Sequence, residues 1–299
     1  MDESLTMFSQ SEADDFRALV RTRLAEMGFE VEVEPDCVRT DDGRVWGLWN
    51  LAANCHNSED GRASWGETIS THFGTLFAAN EEKSPLDLGL EATLESIHAR
   101  LVDASQLQQL GAGWFGYATE FAPDVVRLLV LDTPTTVHTP AEDKLTEVAP
   151  LATLLDRGWR NTRALLDSEA FEVEHLEHDG HAFTCVFGDS VFTASMALFL
   201  PEAVARWQPG ADLSEGIIFS IPHRNQLSFA TAQPAQSALG ALMLMPRFAH
   251  RGYSDSAGAI SPHTYYWRDG VVTQLTQFTD EGANLTPGPD LERILEALQ

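Results

Sequence analysis

The sequence predicts an antiparallel α+β protein, its sheets built from repeated hairpins with helices set between them in ββα-type units. Three observations point there. Asp-Gly turns recur between β-prone runs, helical apolar spacing fills the stretches between hairpins, and the strand–helix–strand rhythm of a parallel nucleotide-binding sheet is missing. The chain has 299 residues, 43% of them hydrophobic, enough for one large domain or two ordinary ones.

Residues 11–28 place Phe16, Leu19, Val20, Leu24 and Met27 at helical spacing, with Ser11 as N-cap and Gly28 at the C-terminal end. Residues 30–40 alternate Val31 and Val33 against Glu32 and Glu34, and the turn Asp41-Asp42-Gly43 leads into a second strand at 44–48. The same device recurs at Asp179-Gly180, between strands 170–178 and 181–187, and at Asp269-Gly270, between 265–268 and 271–273. Strands 217–221 and 226–229 are joined by Pro222-His223-Arg224-Asn225, and strands 114–121 and 125–131 by Ala122-Pro123-Asp124. Helices are expected at 48–55, 65–80, 90–97, 151–166, 201–207, 235–245 and 290–298, the sixth closed by Pro246. Its run Leu239, Leu242, Met243, Leu244, Met245 is too apolar for a half-exposed helix, so it is central core or a protein-binding face, core being favoured. Trp46, Trp49 and Trp65 read as packing between hairpin and helix.

Residues 133–140, rich in proline and β-branched threonine, are the linker candidate. They separate an N-terminal lobe, 1–134, from a C-terminal lobe, 135–299. A break at 81–85 and one undivided domain fit the same sequence.

Forty-five acids against 19 bases give a formal net charge of −26, spread along the whole chain. Such a surface repels polyanions, which argues against autonomous binding to nucleic acid or anionic lipid. Cys37, Cys55 and Cys185 are far apart with no paired spacing, so reduced structural thiols are expected and a zinc ribbon is not. The acidic N-terminal stretch is unlike a secretory signal, and no apolar run is long enough to span a membrane, so the expected location is cytoplasmic.

Phe187-Gly188-Asp189-Ser190-Val191-Phe192 is similar to the nucleophile block of GDSL esterases, but no Asp-x-x-His follows it to supply acid and base, and a strand-ending turn is the better account. Residues 56–67 have the length of a calcium loop with Asp60, Gly61 and Glu67 in place, yet His56 occupies the first ligand position where a hard cation wants oxygen. His178 and His181 flank a two-residue turn and face each other as a weak metal pair, with His175 on the opposite face. Pro222-His223-Arg224-Asn225 follows the most apolar strand, so His223 and Arg224 belong at a sheet end, where Ser261-Pro262-His263 would meet them if the two hairpins are neighbours. His223, Arg224 and His263, with Asp132 as a possible acid, form the candidate anion or acid–base cluster. The plainer account is that proline stops strand pairing while His and Arg cover the sheet end.

The run Gly216-Ile217-Ile218-Phe219-Ser220-Ile221-Pro222-His223-Arg224, with Ser261-Pro262-His263-Thr264-Tyr265-Tyr266-Trp267-Arg268-Asp269-Gly270, resembles the C-terminal half of a group of uncharacterised actinobacterial proteins similar to the YtpQ-like domain of unknown function. Trp46-Gly47-Leu48-Trp49-Asn50-Leu51-Ala52, with Trp65 and His72-Phe73, resembles their N-terminal region. That resemblance implies a cytosolic α+β protein and supplies no activity or catalytic residues.

With no complete catalytic constellation and no cofactor loop in the sequence, the leading expectation is a non-enzymatic, acidic cytosolic protein-binding protein. It would act as an adaptor, chaperone or immunity-like protein and select a partner with a basic surface. One alternative is an enzyme or anion-binding protein with its site around His223, Arg224 and His263. Another is a nucleic-acid mimic, which requires evenly spaced rows of carboxylates.

Overall fold

The computed structural model describes residues 1–40, 45–81, 83–110, 112–279 and 282–297. The fold is α+β, with several antiparallel sheets and helices between them. The chain divides into two compact units: unit 1 comprises Met1–Ser84, Pro134–Thr136 and Ser254–Gly258, and unit 2 comprises Pro85–Thr133, Val137–Tyr253 and Ala259–Gln299. The expected lobe boundary at 134/135 therefore cuts through unit 2. The physical reason is strand pairing across it: Leu131 and Asp132 pair with His138 and Val137, so two residues of the expected linker, Val137 and His138, add to a sheet.

Unit 1 opens with α1 (Gln10–Glu26), started two residues earlier than the sequence suggests by a capping box between Ser9 and Glu12. A three-stranded meander follows, β1 (Val31–Val33), β2 (Cys37–Thr40) and β3 (Val45–Gly47). The single strand expected at 30–40 is thus two strands that pair with each other. Pro35 lacks a ladder donor, and Glu34 closes the turn by donating its N–H to the Cys37 carbonyl at 2.9 Å. The expected Asp41-Asp42-Gly43 turn lies outside the described residues. Helices α2 (Trp49–His56) and α3 (Trp65–Glu81) complete the unit. Phe8, Phe16, Trp65 and Phe73 fill its core, and the Trp65 indole donates to the Cys55 carbonyl at 2.9 Å. The stretch 56–67 is a helix–helix connection closed by the Ser58–Ser64 hydroxyl contact at 2.6 Å.

Unit 2 continues with α4 (Pro85–Leu88), α5 (Leu90–Ser96), β4 (Ile97–Asp103), α6 (Ala104–Leu110), β5 (Thr119–Ala122), β6 (Val125–Asp132) and β7 (Val137–His138). It goes on through α7 (Glu142–Val148), α8 (Leu151–Ser168), β8 (Glu172–His178), β9 (His181–Phe187), α9 (Leu200–Trp207), β10 (Ile217–Ser220), β11 (Gln226–Thr231) and α10 (Ala235–Asp255). Strands β12 (Thr264–Arg268), β13 (Val271–Gln274), β14 (Thr276–Thr279) and β15 (Gly282–Leu285) and helix α11 (Pro289–Glu296) end it.

Six strands form the central antiparallel sheet in the order β13-β12-β10-β11-β9-β8. β10 and β11 lie at its middle and are buried along their whole length. Both Asp-Gly turns form as expected, with Asp179, Gly180, Asp269 and Gly270 all at positive φ, the conformation a two-residue hairpin demands. One face of the sheet packs against α10 and α11 through Cys185, Ile218, Ala230, Ala238 and Ala241. The other face shares a larger core with the sheet β4-β6-β5, onto which β7 adds, and with α8 and α9.

Two expectations fail here in informative ways. Residues 97–103 form β4, where the sequence reading ends a helix at 97. Helix α10 runs ten residues past its expected end, with Pro246 buried inside it. Only one face of α10 is core: Ala238, Ala241, Leu242 and Met245 are buried, while Met243 is 57% exposed.

Candidate functional site

The turn between β10 and β11 carries the first two candidate residues. Asn225 anchors it, its Nδ2 donating to the carbonyls of Gly188, Asp189 and Ser190 at 3.0, 3.1 and 3.2 Å. The Phe187–Phe192 run is thereby fixed as a strand-ending turn, and the Ser190 hydroxyl accepts from the Phe192 N–H at 3.3 Å. The Arg224 carbonyl accepts from Ala194 at 3.0 Å, and the neighbouring Ser195 hydroxyl accepts the Leu101 N–H of β4, also at 3.0 Å. Arg224 and Arg100 are thus tied to the same two-residue segment, 194–195. Alongside, the His98 ring packs against Phe192 at 5.0 Å between centroids and donates from Nδ1 to the Ser96 carbonyl at 2.9 Å.

The charges gathered here are poorly matched. Arg100 has a buried Nε without a partner, and no hydrogen bond or ion pair reaches its guanidinium from the described residues. Arg224 makes one side-chain bond, from Nε to the side-chain Oδ1 of Asn225 at 3.3 Å. Burial pulls Arg100 down to about 10; nearby Arg224 pulls the same way and Asp132 opposes. Burial also lowers Arg224. Asp132 is pushed up by burial, with His98 and Arg100 holding it partly down. Two buried cations therefore lie near each other, and the carboxylate beside Arg100 is one that burial disfavours in its charged form.

His223 accompanies Arg224 in sequence but is engaged elsewhere. Its Nε2 meets Gln226 Oε1 at 3.0 Å, and Gln226 donates in turn to Ser228 Oγ at 3.0 Å. Nδ1 is buried without a partner. Burial drives the imidazole down to about 4, Gln226 partly countering and Arg224 adding to the drop, so the ring is neutral at pH 7.

His263 makes its contacts elsewhere. The register Ser220↔Thr264 does bring β10 and β12 side by side, as the sequence expectation required. However, His263 Nδ1 lies 3.3 Å from both Thr276 Oγ1 and Gln274 Nε2, and its ring packs near Phe278 at 5.5 Å. Burial lowers it, opposed by Asp124. No hydrogen bond or ion pair among the described residues connects it to His223, Arg224 or Asp132. Each imidazole is captured by its own local partner, which is why adjacency of the hairpins does not assemble a triad. Arg100, which the sequence reading does not single out, is the cation near both Arg224 and Asp132. The apolar alternation Ile97, Ala99, Leu101 marks β4 and shows a cation set into it, a signal present in the sequence.

His178 and His181 are directly opposed across the β8–β9 turn. His178 Nε2 contacts Asp179 at 3.3 Å, on an exposed tip. Among the described residues, the group of three potential ligand atoms within 4.8 Å of one another is Glu34, Asp36 and Cys37 in unit 1. There the Cys37 thiol donates to Glu34 at 3.1 Å and is pushed up to about 11, chiefly by burial, so it keeps its proton. All three cysteines are free, and burial pushes Cys55 and Cys185 up to about 12.

Beside the histidine hairpin runs a groove of about 480 Å³ between β8 and α10. Leu176, Phe183, Met243, Leu244 and Phe248 form its apolar wall, and Glu177 and Arg247 stand at its rim. The same helix, α10, approaches β9 so closely that a Cβ on Gly240 would lie 3.0 Å from the Ala182 nitrogen. β8 is the edge of the six-stranded sheet and pairs only with β9 among the described residues.

No family model, no curated protein and no solved structure matches the chain. No helix among the described residues is long and apolar enough to cross a membrane.

Proposed function

We propose that this is a cytosolic, non-enzymatic binding protein that captures an extended segment of a basic partner protein along β8. The observation that carries the reading is the free edge of β8 running beside an apolar groove. Such an edge offers main-chain hydrogen bonds for affinity, and the groove offers a pocket for alternate side chains of the incoming strand. In a two-residue hairpin the flanking pair, here His178 and His181, exchanges both of its bonds, so Val173, His175 and Glu177 direct their backbone N–H groups outward. Glu172, Glu174 and Glu177 are exposed along the same strand and, with the formal charge of −26, favour a basic segment. The exposed Met243 supports the protein-binding alternative for α10 over a purely core role.

The test is selection from a library of extended peptides on the full chain. Bound sequences should alternate apolar residues with Lys or Arg. His175→Pro, which removes an outward N–H and leaves the β8–β9 ladder whole, should weaken binding at least tenfold, as should Met243→Asp in the groove. Equal affinity in both variants overturns the reading.

A further inference from the structure

We propose that Arg100 and Arg224 form a binding site for an oxyanion group, a carboxylate or a phosphate, at the end of the central sheet and separate from the β8 groove. A buried cation without a partner is costly, and proteins normally pair it or keep it in water. Arg100 does neither: its Nε is sealed from solvent without an acceptor, and no carboxylate among the described residues bonds to it. Its terminal nitrogens, unlike Nε, are not fully sealed from solvent.

A second cation stands with it. Arg224 is held by its own carbonyl to Ala194, next to the Ser195 hydroxyl that binds the strand of Arg100. Its guanidinium has a single, long bond. The backbones beside the two forked donors are both hydrogen-bonded to residues 194–195. Planar guanidinium groups of this kind recognise carboxylate and phosphate oxygens through paired N–H···O bonds. Asp132 tempers the charge without forming an ion pair with either arginine, and His98 and His223 add polar groups nearby. An arriving oxyanion supplies the acceptors that the protein withholds. This occurs in a molecule of net charge −26, where an unmatched pair of buried cations is the opposite of what the overall composition would place there.

The experiment is a thermal-shift and calorimetric titration of the full chain in chloride buffer at fixed ionic strength, with inorganic phosphate in one arm and acetate in the other. Saturable binding is expected in at least one arm, and which one identifies the oxyanion class. Arg100→Met and Arg224→Met should each weaken it by about tenfold or more, whereas Arg206→Met, which removes a surface arginine paired to Asp167, should not. Without ligand, Arg100→Met should fold with an unchanged or higher midpoint, because a methionine stem fills the same space without a charge. The proposal is overturned by absence of saturable binding in both arms, by binding that survives both arginine variants, or by a marked drop in the midpoint of unliganded Arg100→Met.

Discussion

Arg17 in unit 1 and Arg100 in unit 2 are both covered arginines, and they have opposite surroundings. Arg17 donates to both carboxylate oxygens of Asp2, at 3.0 and 2.8 Å, and twice to the Pro35 carbonyl, at 3.0 and 2.7 Å. Asp2, 4% exposed, also accepts from the Ser4 and Leu5 N–H groups. Its carboxyl is held down to about 2, first of all by the Arg17 bond. Arg100 has no such partner. A guanidinium saturated by its own chain stabilises the fold, whereas one left open costs stability and is available to something else.

The largest expected effect separates the two directly. Arg17→Met strands a covered carboxylate and should cost about 3 kcal/mol in urea unfolding, while Arg100→Met should cost nothing or stabilise. Losses of equal size would erase the distinction.

Next comes pH. Unfolded His223 takes a proton near 6.5, and the folded protein refuses it until about 4. Stability should therefore fall as pH drops from 6.5 to 4, by up to about 3 kcal/mol, and His223→Gln should flatten that limb. Asp2 works in the adjoining window. Its contribution, about 2 kcal/mol, is present above its unfolded value of 3.8 and is lost as pH falls through about 2. Arg17→Met should remove the second limb and leave the first.

The smallest effect is where α10 meets β9. Gly240→Ala sets a methyl group against the Ala182 backbone, which has no rotamer to yield, and should cost about 1–2 kcal/mol. A stability equal to that of the parent protein in the same unfolding measurement would show that α10 can lift away from β9.

Much of the fold was legible in residues with strong local chemistry. Asp179-Gly180 and Asp269-Gly270 announced their hairpins, since few other pairs tolerate two positive-φ positions. Leu151, Leu154, Leu155 and Leu166 marked α8 by period. What stayed hidden was decided by distant packing. Pro246 looks like a helix stop and is instead carried within α10, between Met245 and Ala249, which are buried against the sheet. The Val137–His138 strand is too short to have a period and exists only because β6 offers an edge. At the site, Arg224 was visible because it follows an apolar strand and a proline. Arg100 was not, because the expected helix ends at 97 and the sequence reading assigns no element to the residues that follow it. The link between them runs through Ala194 and Ser195, which carry no sequence signature.

The make-up of unit 1 bears on how the molecule is born. The side chain of Asn50 accepts from the Gly258 N–H at 2.8 Å, Asn57 donates to the Asp255 carbonyl at 2.6 Å, and Ala257 joins the core around Phe8 and Trp65. A ribosome delivers those last pieces on the order of ten to thirty seconds after Ser84. A segment ending at Ser84 must therefore wait for these contacts while the intervening chain is made.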